Sequence, residues 1–217
     1  RKHAELLGFK NNYTILDRDD SRVLVDSVVR EAGIDTRSRR FPKGRVLLEI
    51  IGYARNTDTT IEEAVEVKVP HFQKLISEIE MVAVRYARKK KELNYMDFDD
   101  LLIYFAELLS THPEVAEKYS RRFKYILVDE YQDTNRIQAR IVDLLGGGHR
   151  NIMVVGDDSQ SIYSFRGALF RNIRDFPNIY QGCRVYTVET NYRSTPEILH
   201  LSNRILAGRE DGFQKTL

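Results

Sequence analysis

The fold of this chain is decided by the stretch FKYILVDEYQD, which occupies residues 123–133. Residues 125–128 predict a fully buried strand, because the run is too short for a helix and rich in β-branched residues. Asp129 and Glu130 follow directly, so both lie at the carboxyl end of the predicted strand. In open α/β sheets, ligands bind in the crevice beyond that end.

Asp129 and Glu130 place two carboxylates side by side against a hydrophobic strand. Such a pair is costly unless a positive group shares the site, and bound Mg²⁺ with its phosphate ligand is the usual partner. A structural alternative is that the acids merely cap the helix expected from Thr134. This stretch alone does not decide between the two interpretations.

The composition sets the limits within which any function must fall. The 217 residues suffice for one large domain or two small ones, and 42% of them are hydrophobic, enough for a real core. With 34 basic and 32 acidic residues the net charge is +2, so a nucleic-acid surface must come from local clusters. The single cysteine, Cys183, excludes an intrachain disulfide and a cysteine-rich metal site, and favours a protein of the reducing cytoplasm. No apolar run is long enough to span a bilayer, so no membrane partner is expected, and the chain begins without Met, as an excised piece would.

The first ninety or so residues predict helices joined by polar connectors. One helix, capped at Asp20 or Ser21, ends at Gly33, and a long helix follows Pro70 with its apolar residues at helical spacing. That helix ends in the basic run RKKK at residues 88–91. The run either lies in solvent, where the helix dipole favours it, or contacts phosphate.

The same two interpretations apply to the arginines Arg37, Arg39 and Arg40.

From about Tyr95 onward, helix and strand alternate. The elements expected there are helices from Asp97 and Pro113, the acidic strand, a helix closed by glycines 146–148, strands at 152–155 and 184–188, and a helix from Pro196. Strands separated by helices predict a parallel sheet. We therefore predict a helical subdomain at residues 1–94 and part of a doubly wound α/β domain at residues 95–217.

The second predicted strand ends in GDDSQSIYSFRGA, residues 156–168. If the first two strands are neighbours, Gln160 lies near the acid pair, where an amide can position water or a terminal phosphate oxygen. Tyr163 and Phe165, with Arg166 beside them, suit a platform for unpaired bases, because base–aromatic stacking contributes about 1–3 kcal/mol whatever the base. The alternative is that both rings pack beneath the loop.

The third predicted strand ends in ETNYRS, residues 189–194. Arg193 could reach the same crevice and neutralise charge that develops on a transferred phosphoryl group. Tyr192 offers a flat face for a purine. Each residue alone could belong to an ordinary cap or salt bridge, but three successive strands with such endings favour phosphate chemistry.

Together these motifs resemble a known family. DEYQD at residues 129–133 followed by TN, then GDDSQSIYSFRGA and ETNYRST, are similar in order and spacing to motifs II, III and IV of the UvrD/Rep/PcrA helicases of superfamily 1. The resemblance is strong from about Tyr95 to the C-terminus, whereas the first ninety residues match only in position and general pattern. It implies an α/β fold with a partial RecA-like parallel sheet of the P-loop NTPase type and an all-helical inserted subdomain, the 1B-like residues 1–94.

The resemblance also implies an ATP-dependent DNA helicase that moves 3′ to 5′ on single-stranded DNA. Asp129 would hold Mg²⁺, and Glu130 would be the general base that activates the attacking water. Gln160 would sense the γ-phosphate of ATP and link it to the DNA site. Arg193 would act as an arginine finger, and Tyr192 would stack on the adenine.

On the DNA side, the resemblance implies that Tyr163 and Phe165 stack on bases of single-stranded DNA or of a junction between single and double strands. Phe165 replaces the tryptophan that is common at this place, so stacking should survive. Arg166 lies beside them as a further DNA contact.

Two parts of the family pattern are missing from the sequence: the phosphate-loop motif, and the later motifs that the family carries on a second α/β motor domain. No Gly-x-x-x-x-Gly-Lys-Ser/Thr occurs, and GGGHR at residues 146–150 has neither the lysine nor the hydroxyl residue. We therefore expect an internal piece of a helicase that cannot hydrolyse ATP alone. Its incomplete sheet would leave an edge or face uncovered, which predicts self-association.

Two further functions are compatible with the sequence. The first is a non-catalytic module that binds duplex DNA or a partner protein through its basic helical part, residues 89–91 above all. The second is a Mg²⁺-dependent nuclease that uses the acids around Asp129. The second leaves Gln160, Tyr192 and Arg193 without a role.

Overall fold

The structure, a computed structural model, describes residues 1–36, 40–164, 167–169 and 171–206. Its described helices are α1 Arg18–Glu31, α2 Gly44–Thr57, α3 Ile61–Lys68, α4 Ile76–Glu92, α5 Phe98–Thr111, α6 Pro113–Arg122, α7 Arg136–Gly146, α8 Arg171–Ile179 and α9 Pro196–Leu206. Its described strands are β1 Thr14–Ile15, β2 Tyr95–Met96, β3 Ile126–Val128 and β4 Ile152–Val154. Four residues with predicted roles lie outside the described residues: Arg37, Arg39, Phe165 and Arg166.

Several helix boundaries predicted from the sequence are confirmed. α5 is capped by Asp97, α6 begins at Pro113, α7 ends at Gly146 and α9 begins at Pro196. These boundaries depend on capping side chains and on proline geometry, which act within a few residues of the helix end. None of the described helices combines the length and apolar character that crossing a membrane requires.

Two helix starts differ from the prediction. α1 is capped by Asp17 rather than by Asp20 or Ser21, because the Asp17 carboxylate accepts a hydrogen bond from the Asp20 amide at 2.8 Å. The proline expected to open the long helix instead opens a 3-10 helix, Pro70–Leu75, and α4 begins only at Ile76. A 3-10 turn is a common way to enter an α-helix.

The chain forms two compact units. The first, here called the helical unit, comprises the described parts of residues 1–125 and 135–151. The second, here called the sheet unit, comprises residues 126–134 and the described parts of 152–206. The division that we predicted after Asn94 concerns subdomains of the family and stays a proposal.

The core of the helical unit is built from α1 to α4. Their apolar residues recur at three- and four-residue spacing, so each helix buries one face. Val25 and Val28 on α1 are buried, as are Ile79, Val82 and Tyr86 on α4. The helical character expected for this part of the chain is confirmed.

The helical unit also contains a parallel strand pair that the sequence analysis did not predict. In this pair, Thr14 of β1 lies opposite Tyr95 of β2, and Ile15 lies opposite Met96. Strands of two residues are too short to show the alternation by which a strand is recognised. Their pairing therefore became visible only in the structure.

The sheet unit contains the predicted parallel pair. Ile126 and Val128 of β3 lie opposite Ile152 and Val154 of β4. The order of elements predicted a parallel pair, and the structure confirms it. The carboxyl ends of the two strands consequently lie at the same edge, where the polar motifs follow.

The prediction that the first of these strands is fully buried is wrong. Ile126 and Val128 are half-buried, but Leu127 between them is 73% exposed, and Met153 opposite it is 55% exposed. Side chains of a strand alternate between the two faces of a sheet. In the described part of the chain, one face of this pair is left open to solvent.

The strand predicted at residues 184–188 is also absent from the described structure. Val185, Tyr186 and Val188 are 56%, 78% and 91% exposed. A strand needs a hydrogen-bonded neighbour, and within the described residues this segment pairs with none. Its β-branched residues satisfied a local preference that tertiary contacts did not support.

Candidate functional site

The acid pair lies where the sequence analysis placed it, at the carboxyl end of β3. Asp129 and Glu130 are both exposed, and the Asp129 carboxylate accepts a hydrogen bond from the Glu130 amide at 2.9 Å. Glu130 adopts the left-handed conformation, with φ 49° and ψ 42°. This conformation costs a non-glycine residue about 1–2 kcal/mol, so surrounding contacts must hold it in place.

Two backbone hydrogen bonds hold the turn against β4. The Val155 amide donates to the Val128 carbonyl at 2.8 Å, and the Tyr131 amide donates to the Val155 carbonyl at 2.9 Å. Tyr131 is buried, and its ring meets Phe176 of α8 edge to face at 5.5 Å between centroids. The backbone on both sides of Glu130 is thus anchored.

Gln132 connects the acid pair to the loop after β4. Its side chain is buried, with only 1% of the residue exposed. The Gln132 Nε2 donates to Glu130 Oε2 at 2.7 Å, and the Gln132 Oε1 accepts from the Asp157 amide at 3.0 Å. No role was predicted for Gln132 from the sequence, although its place within the acidic motif DEYQD could have indicated one.

The path continues from Asp157 to Gln160. The Asp157 carboxylate accepts from the Ser159 amide at 2.9 Å and, through Oδ2, from Gln160 Nε2 at 3.0 Å. The predicted neighbourhood of Gln160 and the acid pair therefore takes the form of a hydrogen-bonded path through two intermediate residues. The path joins the ends of β3 and β4.

Close approach of the backbone at Gly156 permits this path. A Cβ atom at Gly156 would lie 2.4 Å from Gln132 Oε1 and 2.7 Å from Ile173 Cδ1. Both distances are far below van der Waals contact. Only glycine allows the loop to come this close to Gln132.

We expect Gly156→Ala to lower the free energy of unfolding by about 1–3 kcal/mol, since an added methyl group must displace locked neighbours. Urea denaturation measures the change. Gly148→Ala is the matched control, because the nearest atom to its Cβ would be the rotatable Ser120 hydroxyl at 3.1 Å. Equal effects of the two substitutions would contradict the prediction.

Of the residues predicted to stack on bases, the structure describes Tyr163. Tyr163 is 37% exposed, and its carbonyl accepts from the Ala168 amide at 3.3 Å. Tyr163 is therefore partly exposed, and its stacking on bases stays a prediction. Phe165 and Arg166 lie outside the described residues.

Tyr192 and Arg193 lie in a turn after the unpaired segment. Tyr192 is 94% exposed, and the amides of Arg193 and Ser194 both donate to the Asn191 carboxamide oxygen at 2.9 Å. Among the described residues, no recorded hydrogen bond or ion pair links them to the acid pair. The strand that was expected to deliver them to the crevice did not form, so their predicted roles stay predictions.

The donor chemistry of the acid pair fits Mg²⁺. Mg²⁺ in phosphate-transfer sites is held by one or two carboxylates, with water and phosphate oxygens as its other ligands. Asp129 and Glu130 offer such exposed carboxylates. The described residues contain no cluster of three metal-binding side chains that could form an all-protein cage, and the chain carries no phosphate-loop motif for a nucleotide.

The members of the basic run at residues 88–91 differ in burial. The run was predicted either to lie in solvent or to contact phosphate; Arg88 and Lys91 are exposed, whereas neither interpretation fits Lys90, which is 2% exposed. Its other members pair as follows: Arg88 with Glu92 at 3.5 Å, Lys89 with Glu31 at 3.1 Å, and Lys91 over the ring of Phe9 at 5.6 Å.

Lys90 is the centre of a buried charge cluster in the helical unit. Its ammonium group contacts Asp97 and Asp100, and Asp100 also pairs with Arg55 at 2.7 Å. The Tyr86 hydroxyl donates to Asp97 at 3.1 Å. Burial alone would raise the pKa of Asp97, but the attraction of Lys90 and the hydrogen bonds outweigh it, so the pKa lies below its ordinary value. Burial and the nearby Asp97 carboxylate raise the pKa of Tyr86.

The geometry defines a class of protein before any comparison. Two parallel strands, with a carboxylate pair and an amide following their carboxyl ends, form the arrangement at which open α/β sheets bind ligands. Residues 1–181 match the family described as UvrD/REP helicase N-terminal domain. The chain therefore belongs to the UvrD/REP helicase family, and the resemblance found in its motifs is confirmed.

Curated relatives match along the whole chain. The chain is 38% identical to the ATP-dependent DNA helicase UvrD1 of Mycobacterium tuberculosis and 36% identical to the ATP-dependent DNA helicase PcrA of Bacillus subtilis. It is 34% identical to the ATP-dependent DNA helicase PcrA of Leuconostoc citreum. Each comparison covers 100% of this chain, and the chain spans 28–29% of the length of these relatives.

Proposed function

We propose that this chain is part of an ATP-dependent DNA helicase or translocase that moves 3′ to 5′ on single-stranded DNA. The observation that carries the proposal is the hydrogen-bonded path from Glu130 through Gln132 and Asp157 to Gln160. In this path, a carboxylate suited to take a proton from water is tied to an amide suited to contact phosphate. The three relatives named above are all ATP-dependent DNA helicases, which supports the same activity.

The fold that accompanies this function is also a proposal. β3 and β4 would be two strands of a partial RecA-like sheet within residues 95–217, which lacks a phosphate-loop segment. Residues 1–94 would be the inserted, 1B-like helical subdomain. The parallel pairing of β3 with β4 and the helical core formed by α1 to α4 support this division.

At the nucleotide, Glu130 would act as the general base and take the proton of the attacking water. Asp129 would hold Mg²⁺ through its exposed carboxylate. Bound Mg²⁺ would supply positive charge that offsets the charge of the ATP phosphates. Gln160 would contact the γ-phosphate. Its hydrogen bond to Asp157 would transmit a displacement of Gln160 to Gln132 and Glu130.

Tyr192 and Arg193 would complete the nucleotide site from the other side. Tyr192 would stack on the adenine, for which its 94% exposure leaves a free ring face. Arg193 would neutralise charge on the transferred phosphoryl group as an arginine finger. Both residues would have to approach the acid pair when ATP binds.

The DNA partner would be a single strand or a junction of single and double strands. Tyr163 and Phe165 would stack on successive bases, and Arg166 would contact the same strand. Tyr163 follows Gln160 by three residues, so the DNA contact and the phosphate contact share one loop. This proximity would couple ATP hydrolysis to movement.

The first test compares two lengths of the protein. We expect the 217-residue chain to hydrolyse ATP only at the background rate, because no phosphate loop holds the nucleotide. A longer form, extended to include a phosphate loop and a second motor domain, should hydrolyse ATP with stimulation by single-stranded DNA. Hydrolysis by the 217-residue chain well above background would refute the first expectation, and an inactive longer form would refute the proposed function.

One of the two other functions considered, the binding module, loses part of its basis. It rested on residues 89–91, but Lys90 is buried against Asp97 and Asp100, while Lys89 pairs with Glu31 and Lys91 lies over the ring of Phe9 at the surface. Self-association stays a prediction. The exposed side chains of Leu127 and Met153 form an open apolar face that would favour it.

A further inference from the structure

The two partners of the Gln132 side chain demand opposite chemistry. The Glu130 carboxylate can only accept a hydrogen bond when ionised, and the Asp157 backbone amide can only donate one. A side chain between them must therefore donate at one end and accept at the other. At this length, the carboxamide of glutamine meets both demands, and the contacts at 2.7 Å and 3.0 Å use both of its ends.

The surroundings keep Gln132 in one place. It belongs to the 3-10 helix Tyr131–Asp133, its residue is 1% exposed, and its carbonyl accepts from the Ser161 hydroxyl at 3.4 Å. Gly156 brings the backbone of the neighbouring loop against its amide oxygen. Gln132 is therefore held rigidly between the turn that carries Glu130 and the loop that carries Gln160. Both of these residues are exposed.

Glu130 needs such an element. It is exposed and held in the left-handed backbone conformation, and a free glutamate side chain would sample several rotamers. A hydrogen bond to a charged acceptor is stronger than one between neutral groups. The bond from Gln132 thus selects one position of the carboxylate.

We propose that Gln132 is a positioning residue, which holds the Glu130 carboxylate where it can act as a base and couples it to the loop that carries Gln160. The inference rests on the proposed function, because it assigns Gln132 a task in the same hydrolysis. When Gln160 moves on contact with phosphate, Asp157 moves with it, and Gln132 carries the displacement to Glu130. A displacement of about 1 Å in a catalytic group can change the rate about 100-fold.

Two substitutions of Gln132 test the donor and the acceptor of its side-chain amide separately. Gln132→Glu keeps the size of the side chain and an acceptor for the Asp157 amide, but in its ionised form it has no hydrogen to donate to Glu130 and repels that carboxylate. Gln132→Met keeps the approximate size and loses both contacts. Gln138→Glu is the matched control, because Gln138 accepts from the Asn135 amide in a helix capping box that glutamate also satisfies.

The first readout needs no nucleotide and uses the 217-residue chain. Amide hydrogen exchange, followed residue by residue by NMR, reports the protection of the Asp157 amide. We expect Gln132→Met to lower this protection about fivefold to tenfold, the effect of losing one hydrogen bond, while Gln132→Glu and Gln138→Glu preserve it. Unchanged protection in Gln132→Met would overturn the inference.

The second readout is ATP hydrolysis by the longer form of the protein. We expect Gln132→Glu to lower kcat about 10- to 100-fold, the usual cost of losing an orienting partner, with KM for ATP nearly unchanged. A residue that only stabilised the fold would not separate kcat from KM in this way. Gln138→Glu should leave both constants unchanged.

The outcomes distinguish the two proposals. If the unsubstituted longer form does not hydrolyse ATP, the proposed function fails and the inference fails with it. If the longer form hydrolyses ATP and Gln132→Glu retains its kcat, the inference alone is overturned. Loss of kcat in Gln132→Glu, together with retained Asp157 protection, supports it.

Discussion

Replacing Glu130 with glutamine is expected to stop ATP turnover in the longer form of the protein while ATP still binds. The substitution removes the base that takes the proton of the attacking water, which contributes about 100- to 10,000-fold to the rate. It leaves the shape of the side chain unchanged. A glutamine carbonyl at this position can still accept from Gln132, so the path to Asp157 should persist. Single-turnover hydrolysis and the binding of a fluorescent ATP analogue measure the two effects separately.

The matched control is Glu63→Gln, which makes the same chemical change in the helical unit. Glu63 is exposed and forms a capping box with Thr60, a motif that glutamine also satisfies. Turnover should be unaffected there. Normal turnover in Glu130→Gln would show that another group is the base, and equal losses in both variants would point to damage of the fold.

The second large effect is expected from Lys90→Met, which breaks the buried charge cluster. The two carboxylates of Asp97 and Asp100 would then face a single remaining cation, Arg55. Removing one partner of a buried ion pair costs about 3–5 kcal/mol, because the charge left behind has lost both its solvent and its counterion. The whole stability of a small protein is about 5–15 kcal/mol, so the change should be plain in urea denaturation of the 217-residue chain.

Lys89→Met is the control for this experiment, since the adjacent lysine pairs with Glu31 at the surface. Pairs at the surface contribute less than about 1 kcal/mol. If both substitutions cost the same, the burial of Lys90 has no energetic consequence and the prediction is wrong.

The cost of Lys90→Met should also depend on pH. The pKa of Asp97 is lowered from its ordinary value of 3.8, so its stabilising contribution is complete above that value. The contribution disappears as the pH falls below 3.8 and through the folded-state pKa. The difference between the unsubstituted chain and Lys90→Met should therefore be largest near neutral pH and narrow in acid. A difference that grows in acid would contradict this explanation.

The sequence predicted those features that depend on residues close together in the chain. The cap at Asp97 and the helix start at Pro113 were predicted because a capping side chain or a proline acts on the next few residues. The parallel pairing of β3 and β4 followed from the helix between them in the chain. The order of the three motifs predicted the family, which the match over residues 1–181 confirms.

The failures lie where partners are distant in the chain. Residues 184–188 have the composition of a strand but pair with no strand in the described structure, and β1 pairs with β2 although neither shows a periodicity. Lys90 looked like one of four similar cations, yet it alone is buried among carboxylates. Nothing within a few residues of these positions indicates their partners.

The sequence by itself determined several helix boundaries, which two strands run in parallel, and which family of motifs follows them, because these depend on neighbours along the chain. The tertiary structure decided that Gln132 lies between Glu130 and Asp157 and that Lys90 lies between Asp97 and Asp100. Both arrangements depend on burial. A polar group removed from water must find its partner among whichever residues the fold brings close.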